Sequence, residues 1–283
     1  MICDGKKLYD VTVIGAGPAG LYSTFYSGLR EMKTKLIECQ PNLGGKLHVY
    51  PEKIIWDVGG QTPILGEKLI DQLVEQALTF NPTVVLHEKI TSISRNDEGL
   101  FYLYTDSGDI HYTKVVIIAV GHGVIKPQKL KLEGAEKFEV SNLHYTVKSI
   151  HRFTDKIVMI LGGGNSAIDW ANLLEPVAKK VYVAYRKESL TGHESQVSQL
   201  LNSSAQCYFQ CTIPNLLASE NHERIEQVEI THQKTGEITK MAIDEVVINY
   251  GYDRDLSLLE NSDLGLRMVD TYYIAGNANM KPQ

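Results

Sequence analysis

The chain has 283 residues, is 43% hydrophobic and 22% charged, and so has the composition of a soluble globular protein with room for two domains. Its formal net charge of -6 argues against nucleic acid as a partner. No apolar run approaches the roughly 20 residues of a membrane span.

In chain order, the N-terminal MICDGKKLYD carries neither a long apolar core nor a cleavage site, so no export signal is read. DVTVI (10–14) is a short apolar run suited to a buried parallel strand. GAGPAG follows, with Gly15, Gly17, Pro18, Ala19 and Gly20 leading into a helix. Its glycines provide a tight turn, close backbone approach to a pyrophosphate, and close helix–strand packing. The helix that starts there turns its amides and positive dipole end toward the phosphates. The next apolar run, TKLIE, ends at Glu38, 23 residues after Gly15, where a carboxylate accepts hydrogen bonds from a ribose 2′-hydroxyl.

The same arrangement returns in the middle of the chain. An apolar KIVMI leads into ILGGGNSAID (160–169), where Gly162, Gly164 and Ala167 form GxGxxA and Asn165 and Ser166 open the helix. The following strand is VYVAY (181–185), and Arg186 and Lys187 come next, Arg186 being 24 residues after Gly162. The two copies match in offset and differ in charge. A carboxylate repels a 2′-phosphate, whereas a guanidinium binds it through charge-assisted hydrogen bonds. The first loop is therefore expected to take a dinucleotide with a free ribose and the second to favour NADPH. That pairing points to a flavoprotein in which NADPH delivers a hydride to FAD.

VVIIAVG (115–121) and VVINYG (246–251) bracket the second fingerprint, both apolar strands ending in glycine. They read as the places where the chain leaves a first domain and returns to it. The expected fold is α/β, with two Rossmann-like three-layer dinucleotide-binding domains. An NADPH-binding domain at 121–250 is inserted into an FAD-binding domain at 1–120 plus 251–283. Cys207 and Cys211 lie in AQCYFQC; on one strand, residues four apart are about 13 Å from each other, too far for a disulfide. With Cys3 and Cys39 they make four cysteines, a sparse set that fits a reducing cytoplasm. No zinc pattern and no nucleophile–histidine signature is present, so no catalytic side chain and no metal are assigned.

The two fingerprints, the AVG strand end and the inserted domain resemble the thioredoxin-reductase-like flavoproteins. NLGGKLHVYPEKIIWDVGG (42–60), GHGVIKPQKL (121–130) and NYGY (249–252) resemble the bacterial ferredoxin–NADP reductases of that type, and the resemblance covers the whole chain. It implies an FAD cradle at Gly15, Gly17, Pro18, Ala19 and Gly20, with Glu38 on the adenosine ribose. Gly45 and Lys46 would lie beside the flavin ring system, Lys46 standing where the family usually has glutamine. Tyr50 would stack on the isoalloxazine, although it falls one residue closer to position 46 than in the family pattern. Ile90 and Ile125 match positions lining the adenine and the flavin. In the second domain Gly162, Gly164, Asn165, Ser166 and Ala167 would hold NADPH phosphates, with Arg186 and Lys187 as the 2′-phosphate clamp. Read without the resemblance, Tyr50 is a packing tyrosine, Ile90 and Ile125 are core residues and Lys46 is solvated.

The resemblance implies electron delivery to ferredoxin or flavodoxin, and a homodimer as the family commonly forms. Thioredoxin reductases carry a CxxC that FEVSNLHYTV (138–147) lacks, and the family continues with a GD motif beyond the point where this sequence ends, TYYIAGNANMKPQ. Two other readings stay open. One is an NADPH-dependent reductase of a low-molecular-weight disulfide or quinone. The other is a truncated homologue that binds nucleotide without full activity.

Overall fold

The structure is a computed structural model that describes residues 2–3, 6–121, 123, 126–253, 255–265, 267–269 and 272–274. The chain divides into two compact units. The first comprises Met1–His48, Glu67–Ile125 and Arg254–Gln283; the second comprises Val49–Gly66 and Lys126–Asp253. The second unit thus carries residues 49–66 in addition to a long insert, and its borders lie a few residues beyond the two glycine-ended strands.

In the first unit, β1 (Lys6–Ile14), β2 (Thr34–Ile37) and β3 (Thr83–Val85) form the parallel part of a sheet. β4 (Ile90–Arg95) and β5 (Phe101–Thr105) form an antiparallel meander with the long β6 (Ile110–Ile118). The spatial order is β3-β2-β1-β6-β5-β4, with β6 parallel to β1 and antiparallel to β5. One sheet face packs Val11, Val13 and Leu36 against Leu21 and Ala77 from α1 (Pro18–Leu29) and α2 (Gly66–Leu78). The other face packs Ile14 and Ile37 against Ile90, Ile93 and Leu103. Both faces are covered, which is why DVTVI reads as a continuous apolar run. On α1 the buried positions are Gly20, Leu21, Thr24 and Ser27, mostly small, so the helix lies close to the sheet.

The second unit repeats the plan. Its sheet runs β7 (Leu143–His144), β14 (Glu245–Ile248), β8 (Ile157–Leu161), β9 (Lys180–Tyr185) and β10 (Gln206–Phe209), all parallel. On β8, Val158 and Ile160 face α3 (Asn165–Leu174), where Ile168, Trp170 and Leu174 are fully buried. Met159 and Leu161 point the opposite way, onto the meander of β11 (Cys211–Ala218), β12 (Ile225–His232) and β13 (Ile238–Ala242). This period-two alternation makes three layers of helix, sheet and meander. α4 (Glu194–Leu201) contributes Leu200 to the helical layer. Among the described residues no helix is long and apolar enough to cross a membrane.

The single-strand expectation for Cys207 and Cys211 is corrected. Cys207 sits on β10 and Cys211 opens β11, with Gln210 at φ 54° turning the chain between the two sheets. Both are free thiols.

Candidate functional site

Each fingerprint forms a turn between a buried strand and a helix. In the first, Gly15 has φ +97°, and a Cβ there would stand 2.5 Å from the Ala119 carbonyl oxygen. A Cβ on Gly20 would be driven into the Gly15 carbonyl, so these two glycines are demanded by the fold itself. Gly17 is different. It caps α1 in extended backbone (φ -73°, ψ -178°), Pro18 takes the first helical position, and a Cβ on Gly17 would meet nothing within 4 Å. The space beside Gly17 is open and faces helix amides, which is what a pyrophosphate requires. Ala19 is exposed in the first turn of α1. Gly45 closes the loop from behind: with φ +57°, its Cβ would stand 2.7 Å from Gly17 Cα.

Glu38 follows β2 and is buried. Its Oε2 accepts the Ala16 amide at 2.7 Å, and its Oε1 accepts the Gln40 amide at 2.9 Å and the Cys39 thiol at 3.3 Å. The carboxylate therefore joins the glycine loop to the end of β2. A cleft next to it is lined by Gly15, Glu38, Cys39, Gly45, Lys89 and Ile90. Ile90 is buried at the start of β4. Lys46 is half-buried in the short turn Gly45–Val49. Ile125 lies outside the described residues.

Sequence reasoning missed the rim of this cleft. Lys89 Nζ pairs with Asp255 Oδ2 at 2.9 Å, across 166 residues of chain. Asp255 also accepts the Ser257 amide at 3.1 Å and the Ser257 hydroxyl at 2.5 Å, an Asx-type turn leading into the helical turn Ser257–Glu260. The Ser257 contacts and the Lys89 ammonium hold the Asp255 carboxyl down at about 2. The Asp-Leu-Ser spacing was the available signal.

At the second fingerprint Gly162 has φ +142°, and a Cβ there would collide with the Asn249 carbonyl. One on Gly163 would enter the Tyr185 ring. Gly164 again caps its helix in extended backbone (φ -91°, ψ -179°), and a Cβ there would meet nothing within 4 Å. Ala167 is fully buried against the sheet, where its small size lets α3 approach. Asn165 Oδ1 accepts the His193 amide at 2.9 Å, and the Thr191 amide donates to Gly163 O at 2.8 Å. Tyr185, Thr191 and Gly192 thus brace the loop, a role that only TGHE hinted at in the sequence. Arg186 and Lys187 are exposed just past β9. The neighbouring Glu188 is engaged elsewhere, by Lys234 Nζ at 2.9 Å and Gln210 Nε2 at 3.0 Å.

Tyr50 is placed in the core of the second unit, 8% exposed, beside Val147, Phe153 and Ile168. Burial pushes its phenol well above the usual range, and its hydroxyl is hydrogen-bonded to Tyr252 and Ser166. The loop that carries it, residues 49–66, belongs to the second unit. Burial raises the thiols of Cys39, to about 11, and of Cys207 and Cys211. Protonated thiols are poor nucleophiles.

The first loop thus combines an open cradle with a carboxylate at the end of its second strand. The second combines an open cradle with two cations. Residues 59–279 match the family described as pyridine nucleotide-disulphide oxidoreductase. Ferredoxin–NADP reductase 1 of Bacillus mycoides and ferredoxin–NADP reductase 2 of Exiguobacterium sibiricum are each 66% identical over 274 residues, 97% of this chain and 78% of theirs. The crystal structure of Lactococcus lactis thioredoxin reductase superposes with a TM-score of 0.77 at 25% identity, over 91% of this chain and 81% of that one.

Proposed function

Because this chain belongs to the pyridine nucleotide-disulphide oxidoreductase family, and ferredoxin–NADP reductases match it over nearly its whole length, we propose that it passes electrons from NADPH through FAD to ferredoxin or flavodoxin. It is an FAD-dependent NADPH oxidoreductase. One observation carries the assignment of the two sites. Both loops keep a middle glycine, Gly17 and Gly164, beside open space that a Cβ would fill, and opposite charges follow them.

FAD is assigned to the first unit and NADPH to the second. Gly15, Gly17, Pro18, Ala19 and Gly20 hold the flavin dinucleotide's phosphates. Glu38 takes the adenosine ribose and repels a 2′-phosphate. Ile90 lines the cofactor, and Gly45 and Lys46 lie toward the flavin ring. Gly162, Gly164, Asn165, Ser166 and Ala167 form the cradle for NADPH, and Arg186 and Lys187 clamp its 2′-phosphate. Bound FAD supplies the conversion of a two-electron hydride into single electrons. Hydride transfer asks no side chain for a proton, so the chain's residues contribute position and charge. Tyr50 we assign to the pyridine-nucleotide unit, in whose core it lies.

A cytoplasmic setting and a homodimer are part of the proposal. The first is supported by the sparse cysteines and the second by the family resemblance. The test is a visible spectrum of the purified chain with FAD, recorded without oxygen. Bleaching of the flavin bands by NADPH and far less by NADH, followed by reoxidation on adding ferredoxin or flavodoxin, supports the reading. Flavin that stays oxidised with NADPH overturns it; reoxidation only by quinones or small disulfides overturns the acceptor.

A further inference from the structure

The YPEK stretch, residues 50–53, has a partner in the second unit for each polar side chain. Lys53 N donates to Tyr50 O at 3.1 Å, closing a turn, and the chain runs on into a hairpin pairing Ile54 with Leu65 and Ile55 with Ile64. The hairpin returns at Gly66, whose amide meets Lys53 O at 2.9 Å and where a Cβ would strike Tyr50 O. Glu52 Oε2 accepts the Ile150 amide at 2.5 Å. Lys53 Nζ lies 2.5 Å from Asp169 Oδ2, with side-chain exposures of only 13% and 16%. The Tyr50 hydroxyl reaches Ser166.

Ser166 and Asp169 are three residues apart at the start of α3 and share a helix face. The strap therefore grips the turn whose amides the second fingerprint offers to phosphate. Asp169 lies one turn into α3, and its carboxylate repels an anion held at the helix start across about one helical turn. Lys53 removes that repulsion.

We propose that Lys53 is a positioning residue for the pyridine nucleotide, its ammonium neutralising Asp169 and seating the strap on the first turn of α3. The proposal rests on the assignment of this loop to NADPH. It acts on the pyrophosphate, common to NADPH and NADH, and not on the 2′-phosphate. Loss of the Lys53 charge leaves the Asp169 carboxylate uncompensated about one helical turn from the fingerprint amides; a unit charge acting over about 10 Å at a partly solvated site is worth about tenfold in affinity, and less at high salt.

The experiment is calorimetric titration of NADP⁺ and NAD⁺ into the full chain, comparing wild type with Lys53→Gln, Lys53→Arg, Asp169→Asn and the double variant Lys53→Gln/Asp169→Asn. Lys53→Gln is expected to weaken both nucleotides by the same factor, about tenfold, leaving their ratio unchanged. Lys53→Arg and the double variant are expected to bind within about threefold of wild type. Wild-type affinity in Lys53→Gln overturns the proposal, as does a double variant no tighter than the single one, which would make the strap a packing element only. Arg186→Ala, run alongside, separates the two readings. If it leaves the NADP⁺ to NAD⁺ ratio unchanged, the NADPH assignment fails; if the ratio changes while Lys53→Gln binds normally, only the strap proposal fails.

Discussion

Replacing Gly17 or Gly164 by alanine separates binding from folding. At both positions the backbone is extended with negative φ, and a Cβ would find nothing within 4 Å. Alanine accepts that conformation, and the entropy it removes from the unfolded chain offsets most of the roughly 0.5–1 kcal/mol by which alanine is a poorer helix N-cap than glycine. Stability should change by less than about 1 kcal/mol, a shift of at most about 4 °C in the melting temperature of a unit this size. The added methyl occupies the space into which a pyrophosphate must come to hydrogen-bond distance of the amides. Overpacking of this kind costs about 1–3 kcal/mol, or about 5- to 150-fold in affinity. FAD titration followed by flavin fluorescence should show Gly17→Ala weakened by that factor with NADP⁺ binding preserved; Gly164→Ala should show the reverse. Gly20→Ala serves as the contrast, because its Cβ would meet the Gly15 carbonyl and should lower the melt of the flavin-free protein. Normal FAD affinity in Gly17→Ala, or a large loss of stability in the flavin-free variant, would refute the reasoning.

Arg186→Ala should raise the Kd for NADP⁺ by about 10- to 100-fold with little effect on NAD⁺, as read by titration, since a charge-assisted hydrogen bond contributes about 1.5–3 kcal/mol. Asn142 is 2% exposed; its Nδ2 donates to Ile225 O and Asp244 O, both at 2.8 Å, and its Oδ1 accepts the Ile225 amide at 2.9 Å. Asn142→Ala strips partners from buried backbone where the meander joins β7 and β14, and should cost about 2–4 kcal/mol in urea denaturation. Asp255, held at about 2 against an ordinary 3.8, adds stability that is complete above about pH 4 and lost as pH falls toward 2. Its partial exposure limits this to about 1–2 kcal/mol, so Asp255→Asn should melt lower than wild type at pH 7 and converge with it near pH 2.

Two three-layer dinucleotide units were legible in the sequence because their signals are local. A buried parallel strand, a glycine turn and a helix start are set by residues within about ten positions of one another, and the alternation of Val158 and Ile160 with Met159 and Leu161 declares two covered faces. The charge contrast of Glu38 and Arg186 is local in the same sense, each standing one residue past its strand. The tertiary structure decided what depends on distant segments meeting. Gly163 is glycine because of the Tyr185 ring, Glu38 is anchored by the Ala16 amide, and Lys89 finds Asp255 across 166 residues. Tyr50 and Lys53 show the difference most plainly. From the motif alone they belong with the residues before them, yet a hairpin closed by Gly66 hands them to Ser166 and Asp169 on α3. Turn and strand preferences act between chain neighbours, whereas burial and ion pairing act between whichever groups the folded chain brings together, and that choice is made by packing.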